Sequence, residues 1–320
     1  MLITIAVVLG GLWFLLEEKT EEVIVGMLTN PHGILLPSKT MDLDLPDQFT
    51  HTKTELNRWD PKVARWCSDA VLRLEIAAKN EKPLLNPPHT KIYKQLTDIE
   101  YAPGKKIFMT FLTTDFNQNL LILVIRGTLT EDEWDQDLRL SMVPAKFLGA
   151  DGDDYYKDVM IHNGFNTIYS EMRDSVLSIV KGFSNNPFTF IVTGHSLGAA
   201  MTVLSSADMT YNVPNVERTL AYVYGCPRVG NAAFADLVKS QNNLTIHRVE
   251  NNSDFFTEVP TSITPNLSNF KSPFPYTHVG DVHSFNINHF SILANHNLPI
   301  YNLWLDSLIK YKVPDSEQHK

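Results

Sequence analysis

Apolar residues recur along this chain at two alternating spacings, and the alternation predicts helices and strands in turn. Asp60-Pro61 supplies an N-cap followed by proline at the first helical position, and Val63, Trp66, Ala70, Leu72, Leu74 and Ala77 carry a helix through residue 79. Residues 107–113 and 120–125 read as a strand pair joined by the turn-rich Asp115-Phe116-Asn117. Phe165, Ile168, Tyr169, Met172, Val176, Ile179 and Val180 mark one face of a helix over 165–183. A short buried strand at 190–193 then turns sharply into a helix beginning at Ala199-Ala200. Strands follow at 220–224 and 245–249, separated by a helix starting near Asn231, and Tyr301, Trp304, Leu305 and Leu308 predict a closing amphipathic helix. This order predicts an α/β fold, a mainly parallel central sheet flanked by crossover helices.

The first 55 residues break the pattern. Residues 2–16 form an uncharged, largely apolar run, followed by the acidic Glu17, Glu18, Glu21 and Glu22. The run is long for a signal-peptide core and short of the roughly 20 residues that span a bilayer. It has no basic leader and no small-x-small cleavage site, so an uncleaved anchor and membrane association are the expectation, with a signal peptide and secretion as the alternative. The triplets at Asn243, Asn251 and Asn266 would fit a secretory route. Residues 28–54 are polar and punctuated by Pro31, Pro37 and Pro46. The expected layout is a hydrophobic segment over 1–22, a linker or arm over 23–55, and one large domain over 56–320.

Composition narrows the partners. The chain has 320 residues, 43% of them hydrophobic and 20% charged, enough for a full globular core. A net charge of −9 with no basic cluster argues against nucleic acid and is compatible with a neutral substrate. Cys67 and Cys226 form no CxxC and no Cys/His metal spacing, which makes both candidates for buried small hydrophobes.

The candidate chemistry lies at the strand-to-helix turn Gly194-His195-Ser196-Leu197-Gly198. This spacing stands a serine on the apex of a tight turn, with the N–H of Leu197 and the positive end of a helix behind it. A serine hydroxyl is a poor nucleophile at neutral pH, so it needs an imidazole to take its proton and N–H donors for the oxyanion it creates. Residues 120–125 run into Arg126-Gly127-Thr128, a loop placed to add a second oxyanion donor at Thr128. The acid and the base follow a nucleophile of this kind in chain order, each after a later strand. Asp254 occupies the loop after strand 245–249, with Glu250 and Glu258 as competing carboxylates. For the base, His296 lies just ahead of the closing helix, with His289 as rival. His278 and His283 read as packed or surface residues.

Taken in order, these segments resemble one family. Val124-Ile125-Arg126-Gly127-Thr128, His162-Asn163-Gly164-Phe165 and the elbow Thr193 to Ala200 resemble the strand-loop, helix start and elbow of the class 3 lipases. So do Tyr224-Gly225-Cys226-Pro227-Arg228-Val229-Gly230-Asn231, the acid loop from Arg248-Val249 through Asp254 to Pro260, Tyr276-Thr277-His278-Val279-Gly280, and His296-Asn297-Leu298-Pro299-Ile300-Tyr301. Two features depart from the family. Phe256-Thr257 stands where many members have Val-Pro, and the interval from acid to histidine is short, which keeps His289 in play.

The resemblance implies an α/β-hydrolase that cleaves carboxylic esters of lipids at a lipid–water interface or membrane. It assigns Ser196, Asp254 and His296 as the triad and Thr128 with Leu197 as the oxyanion hole, and it calls for no metal or organic cofactor. Acylglycerols are the expected substrates. A phospholipase A1 or galactolipase is the near alternative, and a catalytically silent binding protein on the same fold is the remote one. Residues 129–143 add Trp134, Leu138 and Met142 at helical spacing, either a lid over such a site or a helix packed permanently on the core.

Overall fold

A computed structural model describes residues 58–114, 117, 119–127, 140–149, 158–266 and 273–311. The 1–22 and 23–55 segments, and therefore the anchor or signal peptide, lie outside the described residues, as does most of the 129–143 segment. Among the described residues no helix is long and apolar enough to cross a membrane.

Asp60 caps helix α1 (Pro61–Lys79) by accepting a hydrogen bond from the Lys62 N–H at 2.7 Å, as its sequence requires. Strands β1 (Thr90–Ala102), β2 (Lys105–Thr114) and β3 (Leu120–Ile125) follow as an antiparallel meander. A small pair, β4 (Met142–Pro144) and β5 (Met160–His162), leads into α2 (Asn163–Phe183). Met142, which the helical spacing assigned to one face with Trp134 and Leu138, thus sits in a strand paired with His162. Helix α2 begins where the His162 imidazole accepts from the Phe165 N–H.

The chain then alternates through β6 (Phe188–His195), α3 (Leu197–Asn212), β7 (Val216–Tyr224), α4 (Ala232–Ser240) and β8 (Leu244–Asn251). The hairpin β9 (Ile263–Thr264) and β10 (Phe274–Pro275), strand β11 (Asp281–Phe285), and helices α5 (Ile292–His296) and α6 (Leu298–Tyr311) complete it. The main sheet has seven strands in the order β1-β2-β3-β6-β7-β8-β11. From β3 onward every neighbour is parallel, so the carboxyl ends of β3, β6, β7, β8 and β11 gather at one edge.

Both faces of the sheet are covered, which explains why its central strands are apolar throughout: all six residues of β3, LLILVI, are buried. One face packs against α2, α3 and α4 through residues such as Ile168, Met172, Leu204 and Phe234. The other packs against α1 and α6 through Trp66, Leu74, Tyr301 and Leu305. Cys67 and Cys226 are free and buried, and burial pushes the Cys226 thiol up to about 12. Asp208 of α3 is wholly buried but paired, accepting from Arg173 at 2.6 Å and from the Tyr169 hydroxyl at 2.7 Å.

Candidate active site

Ser196 stands between β6 and α3 with φ 56° and ψ −125°, a left-handed conformation that costs a non-glycine residue about 1–3 kcal/mol. The turn is held by the Ser196 N–H donating to the Tyr224 carbonyl at 3.0 Å and by close approach on the far side. A Cβ at Gly198 would stand 2.5 Å from the Ile125 carbonyl oxygen and 2.6 Å from that of Arg126, so only glycine lets the end of β3 lie against the elbow. Leu197 opens α3, and its N–H has no partner inside the helix. Thr128, two residues beyond Arg126, lies outside the described residues.

The three candidate triad side chains meet. Nε2 of His296 lies 2.7 Å from Ser196 Oγ, and Nδ1 of the same ring lies 2.7 Å from Asp254 Oδ2. All three residues are buried, Asp254 almost completely. Asp254 is also fixed by its neighbours: Oδ1 accepts from the Phe256 N–H at 2.9 Å, and the Tyr301 hydroxyl donates to Oδ2. The competing carboxylates are engaged elsewhere, Glu250 with Arg248 and Glu258 with Arg228. His289 donates its N–H to Asn295 Oδ1 at 2.7 Å, while His296 holds the position between Ser196 and Asp254. Phe256, at the departure from the family pattern, packs its ring 4.3 Å from the His296 ring.

The histidines differ in ways their chemistry explains. Burial pushes His296 below the ordinary imidazole value; the Asp254 charge and hydrogen bond pull the other way, and the neighbouring His195 pushes it down again. His195 has acceptors at both ring nitrogens, the His296 carbonyl 2.8 Å from Nε2 and Glu75 Oε1 3.1 Å from Nδ1. A neutral imidazole carries one N–H and satisfies only one of them. Burial is the largest single effect and opposes the charge on His195, but the Glu75 carboxylate, the His296 carbonyl and the Asp254 charge together raise its pKa. Burial, with Arg248 and Arg228 next, pushes His278 down to about 3, and His283 is packed against Trp59 at 3.7 Å between ring centroids.

Sequence reasoning passed over Glu75, His195, Gly225 and Tyr301 as site residues. Tyr301 appeared as an apolar helix position and at the end of the segment His296 to Tyr301, without a role of its own, and Glu75 as an unremarked polar residue of a helix otherwise lined by Leu72 and Leu74. A carboxylate on the buried side of α1 was the signal available. Asn251, a candidate glycosylation acceptor, is buried, with Nδ2 donating to the carbonyls of Ile287 and Asn295.

A parallel sheet carrying a left-handed serine between strand and helix, with carboxylate and imidazole delivered from later strand ends, defines the α/β-hydrolase class. Solved structures agree on the fold. A triacylglycerol lipase from Penicillium expansum superposes with a TM-score of 0.54 at 19% identity, covering 72% of this chain and 83% of that one. A Rhizomucor miehei lipase in complex with its propeptide superposes at 0.52 and 20% identity, covering 75% and 70%.

The family comparison agrees: residues 122–264 match the model described as lipase (class 3). Among curated relatives, phospholipase A1-IIbeta of Arabidopsis thaliana is 26% identical over 254 residues, 63% of this chain and 61% of its own length. A secreted mono- and diacylglycerol lipase of Malassezia globosa is 36% identical over 126 residues, 39% and 38% of the two chains. The chain thus spans less than two thirds of the length of each of these curated relatives.

Proposed function

We propose that this protein is a serine hydrolase of carboxylic esters of lipids, acting on acylglycerols through an acyl-enzyme. The single observation that carries the reading is the unbroken relay Asp254–His296–Ser196, with both links at 2.7 Å. In the proposed cycle Ser196 Oγ attacks the ester carbon as its proton passes to His296 Nε2, and the imidazolium so formed is stabilised by Asp254 at Nδ1. The N–H of Leu197 and Thr128 hold the oxyanion. His296 then protonates the departing alkoxide. Water, activated by the same ring, attacks the acyl carbon and releases the fatty acid and free Ser196. The cycle uses only these groups and water.

A phospholipase A1 reading shares every one of these steps and differs in the acyl groove and headgroup contacts. It is favoured by the 254-residue match to the plant phospholipase A1. We further assign the layout of an apolar segment over 1–22, an arm over 23–55 and the catalytic domain over 56–320. The apolar segment tethers the enzyme to a membrane; export is the second reading, supported by the secreted Malassezia relative.

The test is a substrate panel of triolein, a soluble short-chain ester, phosphatidylcholine and galactolipid, run with wild type and Ser196→Ala and paired with fluorophosphonate labelling. Expected are labelling of Ser196, turnover of triolein and the soluble ester, and loss of both in Ser196→Ala. Folded protein that neither labels nor turns over any ester would be a silent scaffold. Turnover confined to phosphatidylcholine would select the phospholipase reading.

A further inference from the structure

Phe290 is 95% exposed, more than any other large hydrophobic residue among those described. Its backbone is left-handed as well, with φ 55°, so the chain carries local strain in order to present it. The loop is nevertheless built. The Phe290 N–H donates to Asn288 Oδ1 at 2.8 Å and the His289 N–H to Asn295 Oδ1 at 2.7 Å. Asn295 Nδ2 returns to Asn288 Oδ1 at 3.2 Å and to the Ser253 carbonyl at 3.0 Å, and the Ile287 N–H donates to Asn251 Oδ1 at 3.0 Å. Ser253 precedes Asp254 and Asn295 precedes His296, so the loop is clasped to the residues that carry both the acid and the base. Following β11, it lies at the edge where the parallel strands end and the Ser196 hydroxyl is presented.

Charge says what this loop faces. In a chain of net charge −9, residues 282–305 contain no Asp, Glu, Lys or Arg. A solvent-facing loop normally carries charges, and an anionic or cationic partner would be met by the opposite sign. An uncharged stretch of chain with an exposed aromatic in its loop fits a neutral lipid surface, where a phenyl ring leaves water and no ion of this stretch loses its hydration.

The geometry points to the Phe290 loop as a lipid-docking wedge that seats the edge bearing Ser196 on a neutral lipid–water interface. This rests on the lipid-ester reading for its purpose, and its test does not depend on turnover. In the full chain carrying Ser196→Ala, Phe290→Cys is labelled with an environment-sensitive fluorophore and mixed with phosphatidylcholine-coated triolein droplets. Tyr211→Cys serves as the comparison. Tyr211 is exposed near the far end of α3, about 21 Å from the elbow at 1.5 Å per residue.

The label at 290 is expected to shift to the blue and to be quenched by brominated lipid, while the label at 211 stays water-like. In the active protein, Phe290→Ser is expected to lower triolein turnover tenfold or more and to hold soluble-ester turnover within twofold. A label at 290 that stays in water with droplets present, or equal losses on both substrates, overturns the wedge. Wild type inactive on the soluble ester would instead sink the proposed chemistry and leave the docking result to stand or fall by the fluorophore.

Discussion

Gly225 follows β7 with φ +56°, and a Cβ built there would lie 2.9 Å from His296 Cε1, 3.0 Å from His296 Nδ1 and 3.1 Å from Asp254 Oδ2. Two costs follow for Gly225→Ala. The left-handed backbone alone costs an alanine about 1–2 kcal/mol. The methyl must also gain roughly 0.6 Å from the ring to reach an ordinary carbon contact of about 3.5 Å. Both hydrogen bonds of that ring are 2.7 Å, so a displacement of this size carries at least one of them past the usual limit of about 3.2 Å. Misplacement on this scale costs a reaction about a hundredfold, which is about 2.7 kcal/mol in the barrier.

The expected result is a kcat on a soluble ester lowered about 100-fold with KM little changed, and a Tm lowered by a few degrees. Gly104→Ala separates the two costs. Gly104 has φ +72° with nothing within 4 Å of its built Cβ, so alanine there carries the backbone strain alone. It should lower Tm by a similar amount and leave kcat at the wild-type value. Gly225→Ala with wild-type kcat, or Gly104→Ala with an equal loss of activity, would refute the argument that the ring needs this gap.

Further outcomes follow from the same neighbourhood. Tyr301→Phe removes a buried donor to the Asp254 carboxylate and is expected to cost about 1.5–3 kcal/mol in urea unfolding; an unchanged midpoint would deny that bond any weight. Because burial foremost holds His296 below the ordinary imidazole value of about 6.5, the acid limb of kcat/KM for a neutral ester should have its midpoint below that value. His195→Gln removes a positive neighbour, so the acid limb should move to higher pH, and a limb that stays put or moves down contradicts the assignment. His195 itself binds its proton more tightly folded than unfolded, so its stabilisation is fully present below about pH 6.5 and is lost as pH rises through its raised value. The stability gap between wild type and Glu75→Gln, followed by denaturant melts from pH 5.5 to 9, should therefore narrow toward alkaline pH.

What the sequence disclosed and what it hid divide along a physical line. The elbow was legible because its requirements are local: a left-handed serine and a glycine that admits the Ile125 carbonyl leave a signature within five consecutive residues. That Asp254 and His296 meet Ser196 was legible through chain order, since a parallel sheet returns each strand end to the same edge. Strand β1 was missed because most of its residues are exposed or half-buried and polar, so no apolar period marks it. Strand β11 was missed because DVHSF buries only His283 and Phe285 and reads as a loop.

Glu75, Tyr301 and Gly225 were hidden for a different reason: each acts across the fold rather than along the chain. Glu75 reaches His195 from α1, 120 positions earlier, and Tyr301 reaches Asp254 from α6, 47 positions later. Their residue types suit any helix, and only the packing of α1 and α6 on one face of the sheet brings them to the triad. The proposed nucleophile, acid and base are therefore set by spacing and order, whereas the groups that touch them from across the fold are set by helix packing. Substitutions in α1 or α6 that slide either helix should lower kcat as well as stability, because the same helices carry Glu75 and Tyr301 and pack the core.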